Sequence, residues 1–207
     1  VIEKSKEITS LNTHLIEILK ELQQKRPDFY KITEIIERDL GLAYKFLKTA
    51  NSIYYGTKCE ITDLHQAVVR FGIQEMKRWI SILLVREFEN DENRELIKVC
   101  VLRGKLLSLL ADELKRSMTK TDFFFTGIFS SIDIIMDQDM KTVISDLALS
   151  DSVKNALLGK RGVLRESLDM VILYERLEFE EAMEKLTSMG IDLGRFTELY
   201  IEALSWQ

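Results

Sequence analysis

The sequence predicts an all-α fold, a compact bundle of many helices. Hydrophobic residues make up 46% of the 207 positions and charged residues 30%, so a chain of this length can bury a sizeable core. Only 9 glycines and 1 proline are present, which leaves little material for the turns that an all-β fold requires. Apolar residues recur with the helical period, and no window alternates apolar and polar residues as a half-buried strand would.

The first half of the chain shows four short helices in succession. Apolar stripes predict the first three helices. The first stripe is Leu11, Leu15, Ile18, Leu19 and Leu22, the second is Ile32, Ile35 and Ile36, and the third is Leu42, Phe46, Leu47 and Ala50. The first must end before Pro27, because proline breaks a helix interior. After a break at NSIYYGTKCEI (51–61), Thr62 is a plausible N-cap for a fourth helix, 63–71, which Gly72 closes.

Longer helices are predicted to follow. A helix from near Gln74 carries the apolar residues Met76, Trp79, Ile80, Leu83 and Leu84, and one beyond the polar connector ENDENRE (89–95) carries Val99, Leu102, Leu106, Leu109, Leu110 and Leu114. Thr121 or Asp122 is predicted to cap the apolar segment FFFTGIFSSIDIIM (123–136). The remaining predicted helices span 141–147, 152–158, 164–177, 180–188 and 193–204, with a turn at GKRG (159–162). We expect one domain over 1–207, with 138–207 as its helical C-terminal subregion.

Composition excludes several classes of protein. A net charge of −5 opposes the basic surface that nucleic-acid binding requires. Cys59 and Cys100 are isolated and lack zinc-site spacing, which suits a reducing cytoplasm and predicts no disulfide. The segment 123–136 is too short and too polar to span a bilayer, and the N-terminus has no signal-peptide pattern. The chain does not begin with methionine, so we expect it to be a piece of a longer protein.

Residues able to perform chemistry are sparse. A hydrolytic metal centre needs several His, Asp or Glu ligands around one cation. The sequence has only two histidines, His14 and His65, and neither is followed by aspartate. Neither cysteine has an evident histidine partner, and no GxSxG motif occurs. These observations predict no catalytic residue, no metal site and no cofactor.

The stretch LAYKFLKTANSIYYGTKCEITDLHQAVVRFGIQEMKRWI (42–80) resembles the HDOD domain family, a branch of the HD-type helical superfamily. In that family a helix ending in Asn-Ser leads through an aromatic residue and a glycine to two further helices. The residues that carry the match are Asn51, Ser52, Tyr55, Gly56, Ile61, Ala67, Gly72 and Trp79. The resemblance implies a helical bundle of the HD-domain-like type.

The resemblance extends to the segment 123–136. In HD-type hydrolases the corresponding helix has a glycine, two apolar residues and then the His-Asp pair that holds metal. Aligned on Gly127, that pair falls on Ser130 and Ser131. We expect each hydroxyl to bond the carbonyl four residues earlier, at Thr126 and Gly127. The alternative is that the serines are simply small residues that permit close helix packing. Both interpretations leave the site without metal ligands and imply a protein that is not an enzyme.

The C-terminal stretches ALLGKRGVLRESLDMVILYERLEFEEA (156–182) and LYIEALSWQ (199–207) resemble the tail of a subgroup in which an HDOD module follows an EAL domain. That subgroup is linked to cyclic di-GMP breakdown or sensing. The resemblance implies the C-terminal module of an EAL-HDOD-type bacterial signalling protein, whose EAL domain lies upstream of this chain.

The predicted function is therefore non-catalytic signal transduction, as an output or scaffold module of a cyclic di-GMP-related regulatory protein. Its partner would be another protein or the upstream EAL domain, with no nucleic acid and no membrane involved. The candidate interaction surface comprises Asn51, Ser52, Tyr55, Gly56, Lys77, Arg78 and Trp79. Structural roles are the competing interpretation, since Asn51 and Gly56 can cap and turn the chain and Trp79 lies on an apolar stripe.

The alternative function is a divergent metal-dependent phosphohydrolase of the HD superfamily. Its candidate residues would be Asp112, Glu113, Asp122, Asp133 and Asp137. Asp133 and Asp137 are four residues apart and would share a helix face, so a weak cation site is conceivable. Such a pair is more often solvated surface. A nucleic-acid adaptor is a third class, which the acidic balance opposes.

Overall fold

The all-α prediction is confirmed. The computed structural model describes residues 10–53, 61, 63–114 and 119–206, and these ranges contain thirteen helices and no strand. In chain order the helices are α1 (Ser10–Leu22), α2 (Phe29–Glu37), α3 (Leu40–Ile53), α4 (Leu64–Phe71), α5 (Ile73–Arg86), α6 (Arg94–Leu114), α7 (Lys120–Ile128), α8 (Ile132–Met136), α9 (Met140–Asp146), α10 (Asp151–Leu157), α11 (Val163–Glu175), α12 (Phe179–Met189) and α13 (Leu193–Ser205). Within the described ranges, no helix has the length and apolar character needed to cross a membrane.

The chain divides into two compact units, residues 1–84 and 85–207. The boundary falls inside α5. The single domain over 1–207, with 138–207 as its C-terminal subregion, stays a prediction. The apolar stripes predicted for the first unit form its core. Its buried side chains include Leu15, Ile18, Leu19, Leu22, Ile32, Ile35, Ile36, Leu42, Phe46 and Ala50.

The start of α4 differs by one residue from the prediction. The Asp63 carboxylate accepts a hydrogen bond from the backbone N–H of Gln66, so Asp63 is the N-cap. The prediction of Thr62 as the cap is wrong, because the neighbouring carboxylate takes that position; residue 62 itself lies outside the described residues. The predicted end at Gly72 is confirmed, since Gly72 has a φ of 77°, which favours glycine.

The second unit is organised around α6, which is 21 residues long. Helix α7 packs on it most extensively, and α11 and α13 also contact it. At the closest approach, a Cβ atom on Gly127 would lie 2.5 Å from the carbonyl carbon of Arg103 and from the nitrogen of Gly104. Only glycine allows the two backbones to come this near. The contact places the residues that follow Gly127 beside Arg103.

Helix α7 begins earlier than predicted. The hydroxyl of Thr119 accepts a hydrogen bond from the Asp122 N–H, and the Asp122 carboxylate accepts one from the Thr119 N–H. This reciprocal capping box satisfies two N–H groups that the helix leaves unpaired. The prediction that Thr121 or Asp122 is the cap is therefore wrong.

The segment 123–136 contains two helices separated by a turn. Helix α7 ends at Ile128 and α8 begins at Ile132, so Ser130 and Ser131 lie in the turn between them. The predicted turn at GKRG is confirmed between α10 and α11, where its two glycines have φ values of 79° and 157°.

Candidate functional site

The turn at Ser130 and Ser131 lies against α6 in the second unit. Ser131 is buried and Ser130 is half-buried. Facing them is Arg103, which the close contact at Gly127 holds beside the turn. The two serines that the resemblance aligns with a metal-binding pair therefore face a guanidinium group.

Arg103 bonds both serine hydroxyls. Its Nη1 atom lies 3.0 Å from Ser130 Oγ and 3.2 Å from Ser131 Oγ, and the guanidinium donates in both contacts. We predicted bonds from these hydroxyls to the carbonyls of residues 126 and 127, and that prediction is wrong. The serines lie in the turn after α7, outside the helical geometry that such bonds need. Their oxygens accept hydrogen bonds from Arg103.

The opposite edge of the same guanidinium forms an ion pair with Glu175 at the end of α11. Nε of Arg103 lies 3.1 and 3.0 Å from the two carboxylate oxygens of Glu175, and Nη2 lies 2.6 Å from Oε2. Only 11% of the Arg103 side chain and 16% of the Glu175 side chain are exposed. A bidentate contact of this kind, in which two nitrogens of arginine donate to both oxygens of one carboxylate, is a strong hydrogen-bonding geometry. The Arg103 cluster, defined as Arg103, Glu175, Ser130 and Ser131, joins α6, α11 and the α7–α8 turn.

Cys100 lies one helical turn before Arg103, with its Sγ atom 4.0 Å from Ser130 Oγ. Burial raises the pKa of the Cys100 thiol, although the nearby Arg103 charge and the serine hydrogen bonds oppose the rise. The thiol is therefore neutral at physiological pH. Cys59 lies outside the described residues, so the absence of a disulfide stays a prediction.

Tyr200 of α13 lies near the same cluster. Burial raises the pKa of its hydroxyl, and the negative charge of Glu175 raises it further. Both effects favour the neutral phenol. The ring contacts Tyr174 at a centroid separation of 5.3 Å.

The residues of the Arg103 cluster do not fit a divalent metal ion. A cation bound to the two hydroxyls would lie beside the positive charge of Arg103. Both oxygens of the neighbouring Glu175 carboxylate already accept hydrogen bonds from the same arginine. Serine hydroxyls are also weaker donors to such ions than imidazole or carboxylate. Within the part of the chain that the structure describes, no group of three or more His, Cys, Asp or Glu side chains could hold a metal.

Three acidic residues of the hydrolase alternative have other partners. Asp112 pairs with Lys120 at 2.6 Å, and Glu113 pairs with Arg195 at 2.8 Å. Asp122 belongs to the capping box of α7 and also accepts from the Ser150 hydroxyl at 2.8 Å.

Asp133 and Asp137 line the same surface depression, which also includes Asp139. Asp137 closes α8 in the left-handed conformation, with a φ of 53°. The two carboxylates line one depression, but Asp137 lies beyond the end of α8, so the predicted shared helix face is not formed. The three other acidic candidates pair with different side chains.

The two histidines lie in the first unit. His65 stacks on Tyr30 with ring centroids 4.0 Å apart, and its Nδ1 lies 3.2 Å from the Thr33 hydroxyl. His14 Nδ1 is buried with no hydrogen-bond partner among the described residues.

The candidate interaction surface has structural contacts in the first unit. The Asn51 side chain donates to the Ile61 carbonyl at 2.9 Å and accepts from the Ile61 N–H at 2.8 Å, so it fixes the chain after α3. Ser52 is exposed. Tyr55 and Gly56 lie outside the described residues.

The α5 part of this surface is half-buried at Lys77, Arg78 and Trp79. Trp79 packs against Phe46 and Phe71, with centroid separations of 5.1 and 6.3 Å. Arg78 bonds Glu75 one turn earlier on the same helix at 2.7 Å. These contacts give Asn51 and Trp79 the structural roles considered above, and contact with a partner stays a prediction.

Arg103 and Glu175 were missed in the sequence, although Arg103 carries a signal. It lies three residues after Cys100 and four before Leu107, both buried, so a charged side chain occupies an apolar stripe of α6. A charge in such a position needs a partner. Glu175 lies 72 residues further along the chain, and no spacing rule connects the two.

Comparisons with known proteins agree with this architecture. The sequence model of the HDOD domain matches residues 8–160. "Uncharacterized protein YuxH" of Bacillus subtilis (strain 168) is 33% identical over 202 residues, which are 95% of this chain and 49% of that protein. "Cyclic di-GMP phosphodiesterase CdgJ" of Vibrio cholerae is 24% identical over 191 residues, 92% of this chain and 44% of that protein. The chain therefore spans about half the length of these two curated relatives.

One solved structure, the MmoQ response regulator from Methylococcus capsulatus, is similar with a TM-score of 0.42 and 14% identity, covering 93% of this chain and 95% of that one. The HDOD match includes Asn51, α5, α6 and both serines of the Arg103 cluster. Since that match covers well over half of the residues, the chain belongs to the HDOD domain family.

Proposed function

We propose that this HDOD domain is a non-catalytic signal-transduction module that presents a binding surface to a protein partner or to a neighbouring domain of its own chain. The observation that carries the proposal is the bonding of Ser130 and Ser131 by Arg103. If the two serines correspond to the metal-binding pair of HD-type hydrolases, as the resemblance implies, that position bonds an arginine and offers no metal ligand.

The electrostatic cost of a metal ion at this position supports the proposal. A divalent cation about 4 Å from the guanidinium carbon would be repelled by about 8 kcal/mol in an effective dielectric of 20. Glu175 is held by Arg103 through three contacts and would have to exchange this partner for the metal. Hydrolysis of a phosphodiester at this site would also lack the metal-bound water that activates attack.

We place the module in a cyclic di-GMP-related bacterial regulatory protein, in the cytoplasm, with an EAL domain upstream. Two observations support this assignment. A relative that covers nearly the whole chain is named as a cyclic di-GMP phosphodiesterase, and both curated relatives are about twice as long as this chain. Signalling would then proceed by a change in how the helical surface is displayed to the partner.

Metal analysis and hydrolysis assays test the non-catalytic proposal. The purified chain is assayed for iron, manganese and zinc, and for hydrolysis of cyclic di-GMP and of bis(p-nitrophenyl) phosphate. We expect neither stoichiometric metal nor turnover. A transition metal at about one ion per chain, together with turnover that Asp133→Asn and Asp137→Asn abolish, would establish the hydrolase alternative instead.

A matched pair of variants isolates the role of Arg103. In Ser130→His/Ser131→Asp, the ligand pair is restored while the guanidinium remains, and we expect no metal binding. In Ser130→His/Ser131→Asp/Arg103→Met, the positive charge is absent and metal affinity should rise. Equal metal affinity of the two variants would show that Arg103 does not exclude the ion.

The pathway assignment has a separate test. The reading frame upstream of residue 1 is expected to encode an EAL domain. A different upstream domain would remove the support for a cyclic di-GMP pathway without affecting the non-catalytic assignment.

A further inference from the structure

The negative charge of the chain is concentrated at one end. Residues 177–206 contain the acidic residues Glu178, Glu180, Glu181, Glu184, Asp192, Glu198 and Glu202, and the basic residues Lys185 and Arg195. This stretch therefore carries a net charge of −5, which equals the charge of the whole chain, so the remaining residues balance to zero. Such an asymmetry indicates a surface for a partner of opposite charge.

The same stretch exposes apolar side chains. Phe179 is 49% exposed on α12, and Ile201 and Leu204 are 58% and 47% exposed on α13. Tyr174 contacts both Phe179 and Tyr200, at centroid separations of 5.5 and 5.3 Å, and thereby connects the two helices. Ile201 and Leu204 follow Tyr200 on α13 by one and four residues. We call these five residues, Tyr174, Phe179, Tyr200, Ile201 and Leu204, the C-terminal stripe.

The fold does not need the exposed part of this stripe. Helix α13 already buries Phe196, Leu199 and Ala203, and it packs on α6. A surface helix of a globular protein needs one apolar face, and α13 carries apolar side chains on a second. Exposed apolar residues in a group, rimmed by polar ones, mark interaction sites more often than scattered ones do.

The acidic rim beside Phe179 is uncompensated. Glu178, Glu180 and Glu181 are exposed and form no ion pair with the residues that the structure describes. On α13, by contrast, Glu198 pairs with Arg195, and Glu202 lies 3.5 Å from Lys105. Free negative charge thus flanks the apolar stripe on the α12 side.

We propose that the C-terminal stripe is a docking site for a cationic amphipathic segment of a protein partner. Apolar side chains of that segment would cover Phe179, Ile201 and Leu204, and its Lys or Arg residues would pair with Glu180 and Glu181. The charge complementarity selects such a segment over a second copy of this chain, because two copies of the stripe would bring like charges together. The inference rests on the proposed function, since it names the chemistry of the partner.

A synthetic peptide serves as the probe. It is a helix of about four turns with Leu and Phe on one face and Lys and Arg on both flanks, compared with a peptide that has the same apolar face and Glu on the flanks. Binding to the whole chain is measured by calorimetry in low salt and again in high salt. We expect binding of the basic peptide only, weakened by salt as charges are screened.

Three variants locate the contact. Ile201→Ser/Leu204→Ser should weaken binding about tenfold or more, because apolar anchors dominate such interfaces. Glu180→Gln/Glu181→Gln should weaken it severalfold and reduce its salt dependence. Leu158→Ser, at a similarly exposed apolar position beside Lys160, is the control and should leave affinity unchanged.

Several results would overturn the proposal. Equal binding of both peptides would remove the charge argument, and unchanged affinity of Ile201→Ser/Leu204→Ser would place binding elsewhere. If sedimentation shows a dimer of the wild type and Ile201→Ser/Leu204→Ser abolishes it, the C-terminal stripe binds a second copy of this chain. None of these substitutions touches the Arg103 cluster, so a failed docking test leaves the non-catalytic assignment intact. Turnover with normal peptide binding would contradict only the non-catalytic assignment.

Discussion

The buried ion pair between Arg103 and Glu175 should be required for the stability of the second unit. The perturbation is a double-mutant cycle of Arg103→Met, Glu175→Gln and the variant with both substitutions. Arg103→Met leaves the Glu175 carboxylate buried without its cation and deprives Ser130 and Ser131 of their donor. The cycle separates the interaction between the two charges from the other effects of each substitution.

The structure sets the expected magnitude. Unit charges at 2.6 Å attract by about 6 kcal/mol in an effective dielectric of 20, and desolvation of both groups offsets part of this. Removing one partner of a buried pair costs about 3–5 kcal/mol, so Arg103→Met should lower the free energy of unfolding by that amount. The double variant should cost less than the two single variants together, with a coupling of about 2–3 kcal/mol.

Urea unfolding followed by far-ultraviolet circular dichroism measures these changes. The matched control is Arg195→Met, which breaks an Arg–Glu contact of similar length at 2.8 Å in which both side chains are more exposed. Its effect should be much smaller, because solvent screens surface pairs. Single variants that cost less than about 1 kcal/mol, or costs that simply add, would refute the structural role of the pair.

Three further predictions concern packing, pH and reactivity. Gly127→Ala should destabilise the chain by about 1–3 kcal/mol in urea unfolding, because its Cβ would lie 2.5 Å from the backbone of α6. Gly104→Ala should cost less, because its Cβ would lie no nearer than 3.2 Å to any atom of α7, and equal costs would contradict this reasoning. A hydrogen bond from Lys31 lowers the pKa of Glu21. The free energy of unfolding of the wild type should therefore exceed that of Glu21→Gln at pH 7, and this difference should disappear as the pH falls below about 4. A difference that stays constant with pH would contradict this reasoning. In a Cys59→Ser background, Cys100 should react with Ellman's reagent at pH 8 only after unfolding, because burial raises its pKa, and rapid labelling of the native chain would disprove this.

Local patterns were sufficient to predict the helices. The 3.6-residue period of apolar side chains marks the face that each helix buries, and a glycine such as Gly72 marks an end by its positive φ. N-caps were less predictable at Thr62 and Thr121. Several polar residues precede each of these helices, and the path of the backbone decides which one is the cap.

The candidate site was predictable only in part. The resemblance aligns Ser130 and Ser131 with a metal-binding pair, and the prediction that this site lacks metal ligands follows from the residue types. Their bonding partners were not evident, because the donor that the hydroxyls accept from lies on another helix. Only packing brings Arg103 of α6 within hydrogen-bond distance of both serines.

The sequence by itself determined the helical class of this protein, the approximate position of most helices and the absence of a His-Asp pair at residues 130–131. These properties depend on residues that are neighbours in the chain. Tertiary structure alone decided that Arg103 meets Glu175, 72 residues away, and that both serines bond the same guanidinium. The packing of α6 against α7 and α11 creates these contacts, and such packing depends on complementary surfaces of helices that are distant in the chain.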